Sequence, residues 1–227
     1  MKKRNQYRYE RKYLIPFNQQ SKISSIINSN SLRFYKQFKK RSINSIYFDT
    51  DNLDYYAANL NGDLNRKKIR MRWYGLWYGL LNSNLEIKNK CGLVGNKYVY
   101  KLPELFVDKS TNILSFNSLF TKSNLPNNIG SLFHILKPRL FISYTREYYK
   151  SRIIDCRLTL DTNIKYISFS SNKFIIEKTY SNTSDMIVEL KTGIHDEEKV
   201  LTHGYQLPFR ISKHSKYATG IQRFYNL

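Results

Sequence analysis

A chain of 227 residues with 41% hydrophobic and 15% aromatic content is long enough to bury a core unaided, which excludes a disordered tail and a small module held by staples. The formal net charge of +21 calls for an anionic partner: nucleic acid, anionic lipid or a polyphosphorylated small molecule. Cys91 and Cys156 have neither zinc-site spacing nor a disulfide framework, so a reducing, cytoplasmic setting is expected.

In chain order, the basic start from Met1 to Arg8 is followed by no apolar run, so no signal peptide is expected, and no later segment reaches membrane-span length. Period-2 alternation predicts strands over residues 7–15, 45–50, 67–74, 85–90, 97–101, 140–150, 157–161, 174–177 and 186–191. Helices are expected over 18–28, 54–60, 195–203 and 215–224, with Asn18 and Asp54 as N-caps. An Asn/Ser-rich stretch over 110–131 reads as a helix-and-loop insertion. Strands outnumber helices without regular alternation, which predicts one mainly-β α+β domain over 1–227, an antiparallel sheet with peripheral helices.

The charges share a parity. Arg8, Glu10 and Lys12 point one way on the first strand, as do Lys68, Arg70 and Arg72 on the third and Glu86, Lys88 and Lys90 on the fourth. Lys97 pairs in parity with Lys101, Arg146 with Tyr144 and Tyr148, Arg157 with Thr159 and Asp161, and Glu189 with Lys191. Any one such face is an ordinary wet sheet face. Repeated over seven strands, faces of Arg and Lys punctuated by single Glu residues repel one another unless an anion lies between them. A closed barrel with this face inward gathers them around one axial ligand. Arg forks and Lys point charges suit phosphate oxygens, and the Glu residues suit a hard divalent cation that bridges them.

Eight short motifs in order resemble the VTC domain, the polyphosphate polymerase branch of the CYTH-like triphosphate tunnel metalloenzymes. They are Tyr9-Glu10-Arg11-Lys12-Tyr13, Ser45-Ile46-Tyr47-Phe48-Asp49-Thr50, Lys68-Ile69-Arg70-Met71-Arg72, Leu85-Glu86-Ile87-Lys88, Tyr144-Thr145-Arg146-Glu147-Tyr148, Arg157-Leu158-Thr159-Leu160-Asp161, Val188-Glu189-Leu190-Lys191 and Ser215-Lys216-Tyr217. The resemblance implies a closed eight-stranded antiparallel tunnel that transfers the terminal phosphate of ATP to polyphosphate with Mn2+, or Mg2+ in its place. It implies Lys12, Arg70, Arg72, Lys88, Arg146 and Arg157 as catalytic phosphate-contacting cations, and Lys101, Ser215 and Lys216 as further phosphate ligands. Glu189 matches the metal-binding carboxylate, and Glu10 and Glu86 share its inward parity as further metal candidates; Lys191 and Arg8 join the phosphate set.

Hydrolytic relatives carry Glu-x-Glu-x-Lys on the first strand; here Arg8 replaces the first Glu, which removes a metal ligand, adds a phosphate ligand and favours the polymerase branch. Pyrophosphate and triphosphate are further expected ligands, and a membrane-protein partner would supply any membrane association. A non-catalytic polyphosphate sensor and a triphosphatase are the alternatives; nucleic acid ranks behind them, because the cations alternate along strands and match no nucleic-acid motif. His134, His195, His203 and His214 are too scattered for a metal cluster, and Asp155 and Asp161 read as structural. Tyr47, Tyr55, Tyr56, Tyr98, Tyr100 and Tyr149 read as sheet and core packing, and parity selects none of them for an adenine ring.

Overall fold

The computed structural model describes residues 2–3, 8–91, 94–112, 115–169, 176–202 and 207–225. Its elements are β1 (Lys2–Lys3), β2 (Arg8–Pro16), α1 (Gln20–Ser29), β3 (Tyr35–Asp49), α2 (Asp54–Asn61), β4 (Asn65–Tyr74), β5 (Gly79–Leu81), β6 (Asn84–Cys91) and β7 (Val94–Lys101). There follow β8 (Leu105–Val107), α3 (Ser115–Lys122), α4 (Asn127–Gly130), β9 (Lys137–Lys150), β10 (Cys156–Phe169), β11 (Ile176–Asn182), β12 (Asp185–Gly193), α5 (Glu197–Thr202) and α6 (Lys216–Tyr225). One antiparallel sheet runs β1-β7-β6-β4-β3-β9-β10-β12-β2, with β11 on the far half of β10; β5 and β8 pair separately. Among the described residues no helix is long and apolar enough to cross a membrane.

The sheet is mainly-β and antiparallel as expected, but the closed eight-stranded barrel is not formed. Among the described residues β2 pairs on one side with β12, and its outer edge is taken by the chain just before α6. Tyr13 bridges Ile211, and the Ser212 N–H donates to the Lys12 carbonyl at 2.7 Å. That contact satisfies backbone groups a closing strand would need. The sheet is nevertheless strongly curled. Glu10 on β2 lies 3.2 Å from Lys88 on β6, six strand steps away, which a flat sheet would separate by roughly 29 Å. Side chains, rather than a backbone ladder, span the gap.

Burial divides the curled sheet into faces. On the convex side Ile46, Ile69, Met71, Trp73 and Ile87 pack against Phe116 and Phe120 of α3, and Tyr13, Leu158, Val188 and Leu190 against Ile23 and Ile27 of α1. One end of the concave side is filled by α6, whose Tyr217 and Ile221 meet Tyr47, Leu140, Tyr166 and Ile187. Gly220 permits that seating: a Cβ there would stand 2.4 Å from Leu140 Cδ2 and 2.7 Å from Tyr166 Cδ1.

Several boundaries differ from the sequence reading. β3 starts ten residues before the expected Ser45, because Lys36-Gln37-Phe38-Lys39-Lys40-Arg41 hides its alternation in a basic run. β10 continues past Asp161 through a register shift between Thr162 and Lys165, where Asn163 adopts a left-handed φ of 52°. Asn18 lies in a 3-10 turn before α1 and does not cap it. Asp54 opens α2 without capping it; the Asp49 carboxylate accepts the Tyr55 and Tyr56 N–H groups, each at 2.9 Å. The expected 195–203 helix is a 3-10 turn plus α5, and His203 and residues 174–175 lie outside the described residues.

Candidate phosphate-binding site

The concave face is assembled by register. Across β6, β4, β3 and β9, Arg70 stands opposite both Glu86 and Tyr47, and Arg72 opposite Asn84 and Ser45. Arg146 of β9 faces Asp161 of β10; Glu189 of β12 faces Thr159 on one side and Lys12 of β2 on the other, and Lys191 faces Arg157 and Glu10. Since side chains opposite one another share a face, Lys12, Arg70, Arg72, Arg146, Arg157 and Lys191 are brought onto one face.

Two carboxylates hold arginines. Glu86 accepts from Arg70 Nε at 2.7 Å and from Lys97 Nζ at 2.7 Å, and Arg72 Nη1 lies 3.6 Å away. Burial would raise its carboxyl, but Arg70, Arg72 and Lys97 outweigh that and hold it far below the usual carboxylate range. Asp161, 1% exposed, takes a bidentate fork from Arg146 (2.5 and 2.7 Å) and an ion pair from Lys216 at the start of α6. Burial opposes its ionisation; Arg146 and Lys216 prevail, and its carboxyl is lowered. Hydroxyls complete the arginines: Tyr47 accepts from Arg70 at 2.8 Å, and Ser45 and Tyr144 accept from Arg72 at 3.2 and 3.1 Å.

Among the described residues the ion pairs of the other two carboxylates, Glu10 and Glu189, are with lysines, and at longer range. Glu10 lies 3.2 Å from both Lys88 and Lys191; Glu189 lies 3.4 Å from Lys191 and 4.0 Å from Lys12. Lys191 therefore joins the two. Burial raises the Glu189 carboxyl, but Lys191, Lys12, Arg146 and Lys216 together push it far down.

At the α6 end, Lys68 donates to Ser215 Oγ at 3.0 Å and Lys12 to the His214 carbonyl at 3.0 Å. His214 is lowered to about 4 by burial and by Lys216 and Lys12, so its ring is neutral. On β10, Arg157 Nε and Thr159 Oγ1 are buried without a hydrogen-bond partner among the described residues. One member of the expected set turns away: Arg8 reaches out to Asp155 at 3.3 Å. Lys101, at the end of β7, is exposed and stands opposite Asn84, which is itself opposite Arg72. His134 and His195 are exposed.

Lys68, which opens one of the family motifs, and Lys97, which lies outside them, were given no phosphate role by the resemblance, although parity had placed both on this face. Lys68 is pushed down to about 7, first by burial and then by Lys12, Lys88, Arg70 and Arg66. An unfolded Lys titrates near 10.4, so between about pH 7 and 10 the unfolded chain binds the extra proton and stability rises with pH. Below about 7 Lys68 is charged in both states and its destabilisation is fully present. Lys68→Met is therefore expected to raise the thermal midpoint of the ligand-free protein most at pH 6 and least near pH 10. A gain independent of pH, measured by calorimetry, would contradict this.

Comparisons with known proteins follow the same lines. The VTC domain family matches residues 7–225. Among solved structures, a putative adenylate cyclase from Bacillus halodurans is similar in fold, with 15% identity, 99% of this chain and 100% of that chain covered, and a TM-score of 0.55. A putative adenylyl cyclase from Hippeastrum, described as revealing a dominant triphosphatase activity, has 17% identity, coverage of 94% and 95%, and a TM-score of 0.47. No curated protein matches the chain.

Proposed function

The chain belongs to the VTC domain family, and from that premise we propose that it is a metal-dependent phosphoryl transferase that lengthens polyphosphate with ATP inside its curled, cationic face. The observation that carries this reading is the division of labour among the carboxylates. Glu86 and Asp161 are consumed in fixing arginines, whereas among the described residues the ion pairs of Glu10 and Glu189 are with lysines, whose flexible stems can turn to a phosphate.

The donor set fits a hard divalent cation such as Mn2+ or Mg2+. Glu10 and Glu189 supply carboxylate oxygens from adjacent strands, and substrate phosphates and water complete the shell, as such ions prefer. Among the described residues no group of three or more His, Cys, Asp or Glu could hold a metal alone, which suits an ion that arrives with its substrate. Mn2+ is accordingly expected to bind weakly to the protein by itself and at least tenfold more tightly with tripolyphosphate present. Titration calorimetry showing tight Mn2+ binding without any phosphate would contradict two-carboxylate ligation. Glu86, with three cations around it, is assigned to positioning Arg70 and Arg72 and not to the metal.

When bound, the cation neutralises charge on the phosphate oxygens. The chain's own residues do the rest. Arg72, Arg146, Lys12, Lys88 and Lys191 line the phosphate path, and Arg157 and Thr159 add donors that burial leaves unsatisfied. Lys68, Ser215 and Lys216 meet the phosphates at the α6 end. In the transfer, a terminal polyphosphate oxygen attacks the γ-phosphorus of ATP, the bond from that phosphorus to the β–γ bridging oxygen breaks, and ADP leaves. Little covalent chemistry is asked of the protein; preorganised cations stabilise charge on the transferring group.

Purified protein with ATP and Mn2+ tests the proposal. Polymer on a gel with matching ADP release supports it. Loss of ATP to free phosphate makes the protein a triphosphatase, and tight tripolyphosphate binding with no turnover makes it a polyanion sensor.

A further inference from the structure

Strand order assigns the two ends of the concave face. At one, α6 meets β3 and β9 beside Lys68; at the other lie Arg8, Arg157, Lys150 and Tyr74, which among the described residues α6 does not cover. At this open end Phe38 and Arg41 of β3, Tyr74 of β4 and Tyr148 of β9 come together. The Arg41 guanidinium lies 4.6 Å from the Phe38 ring centroid and 5.7 Å from those of Tyr74 and Tyr148. Phe38 and Tyr148 meet edge to face at 5.6 Å.

Three features set this cluster apart from core packing. Phe38 and Tyr74 are 44% and 49% exposed, whereas aromatic rings such as Trp73, Phe48 and Tyr166 are fully buried. Arg41 has no carboxylate partner among the described residues, although Lys36 and Lys40 beside it both reach Glu147. The cluster is also continuous with the phosphate path, because Arg146 lies 6.0 Å from the Tyr148 centroid while it grips Asp161.

We infer that Phe38, Tyr74 and Tyr148, gathered around Arg41, form the seat for the nucleobase of the donor nucleotide at the open end of the phosphate path. The inference rests on the reading of the concave face as a nucleoside-triphosphate site. Exposed aromatic faces stack on any base, and a guanidinium within cation–π distance of three rings brings donors for base, ribose or α-phosphate oxygens. The seat thus selects a nucleoside triphosphate over an inorganic polyphosphate as donor, with no need for base-specific hydrogen bonds.

The test compares dissociation constants of ATP, ribose 5-triphosphate and inorganic tripolyphosphate for the wild type, Phe38→Ala, Tyr74→Ala and the bulk-preserving Phe38→Leu. In the wild type ATP is expected to bind more tightly than the baseless ribose triphosphate. Each substitution should weaken ATP by about tenfold or more, from the loss of base–aromatic stacking. Tripolyphosphate and ribose triphosphate should stay within about twofold of wild type. Unchanged ATP affinity overturns the seat. Equal weakening of all three ligands also overturns it, and assigns the cluster to holding the strand ends together. Failure of the wild type to bind tripolyphosphate removes the phosphate-site reading itself, and the seat with it.

Discussion

Glu189→Gln is expected to lower Mn2+-dependent turnover of ATP by about a hundredfold to a thousandfold, while metal-free tripolyphosphate binds as tightly as to the wild type or more so. The substitution keeps the size and one oxygen of the side chain but removes the charge. Metal stabilisation of a transferring phosphoryl group is worth several kcal/mol, and each 1.4 kcal/mol is about tenfold in rate. The opposite effect on anion binding follows from the surroundings. Lys191 and Lys12, at 3.4 and 4.0 Å, lose one counter-charge and are freer to meet the ligand, with Glu10 still beside Lys191 at 3.2 Å. Binding by calorimetry alongside ADP release separates the two effects. Unchanged turnover would remove Glu189 from the metal site, and weaker tripolyphosphate binding would mean that the residue mainly supports the fold.

Glu86→Ala carries the second large expectation, and it falls on stability. The substitution strands Arg70, Arg72 and Lys97, whose charges converge on one carboxylate that is itself 10% exposed. Breaking a buried ion cluster by removing one partner costs about 3–5 kcal/mol, a large share of the roughly 5–15 kcal/mol that holds a domain together. The Glu86 carboxyl is held far below its unfolded value, so its contribution is complete above about pH 5, fades progressively as pH falls below the unfolded value, and is gone once pH passes below the folded value. Tripolyphosphate is expected to restore more of the lost thermal midpoint in the variant than it adds to the wild type, because a bound anion substitutes for the missing charge. A midpoint within about 1 °C of wild type would contradict the positioning role.

The parity of Lys68, Arg70 and Arg72 was legible because strand geometry sets every second side chain on one face, and the register then carried that face from β4 to its neighbours. What Glu86 does was not legible. Its partners are chosen by cross-strand pairing with Arg70 and by the neighbouring β7, and no local pattern distinguishes a carboxylate that anchors arginines from one that meets lysines. Glu10 and Glu189 come from strands nearly 180 residues apart, so their sharing of Lys191 emerges only from the β12–β2 pairing.

The failed closure has a similar cause. The residues that occupy the β2 edge, Ile211 and Ser212, lie some 200 positions along the chain in a segment without strand periodicity. The aromatic cluster escaped for two reasons. The first half of β3 is masked by its basic run, and its register with β9 shifts between Lys36 and Phe38 and again before Arg41, which breaks simple alternation.

Chain lengthening with γ-labelled ATP, Mn2+ and a short polyphosphate primer tests the central claim most directly. The account predicts label in primers longer by whole phosphate units, with one ADP released for each unit added. Label appearing only in free phosphate, with the primer unchanged in length, would contradict it.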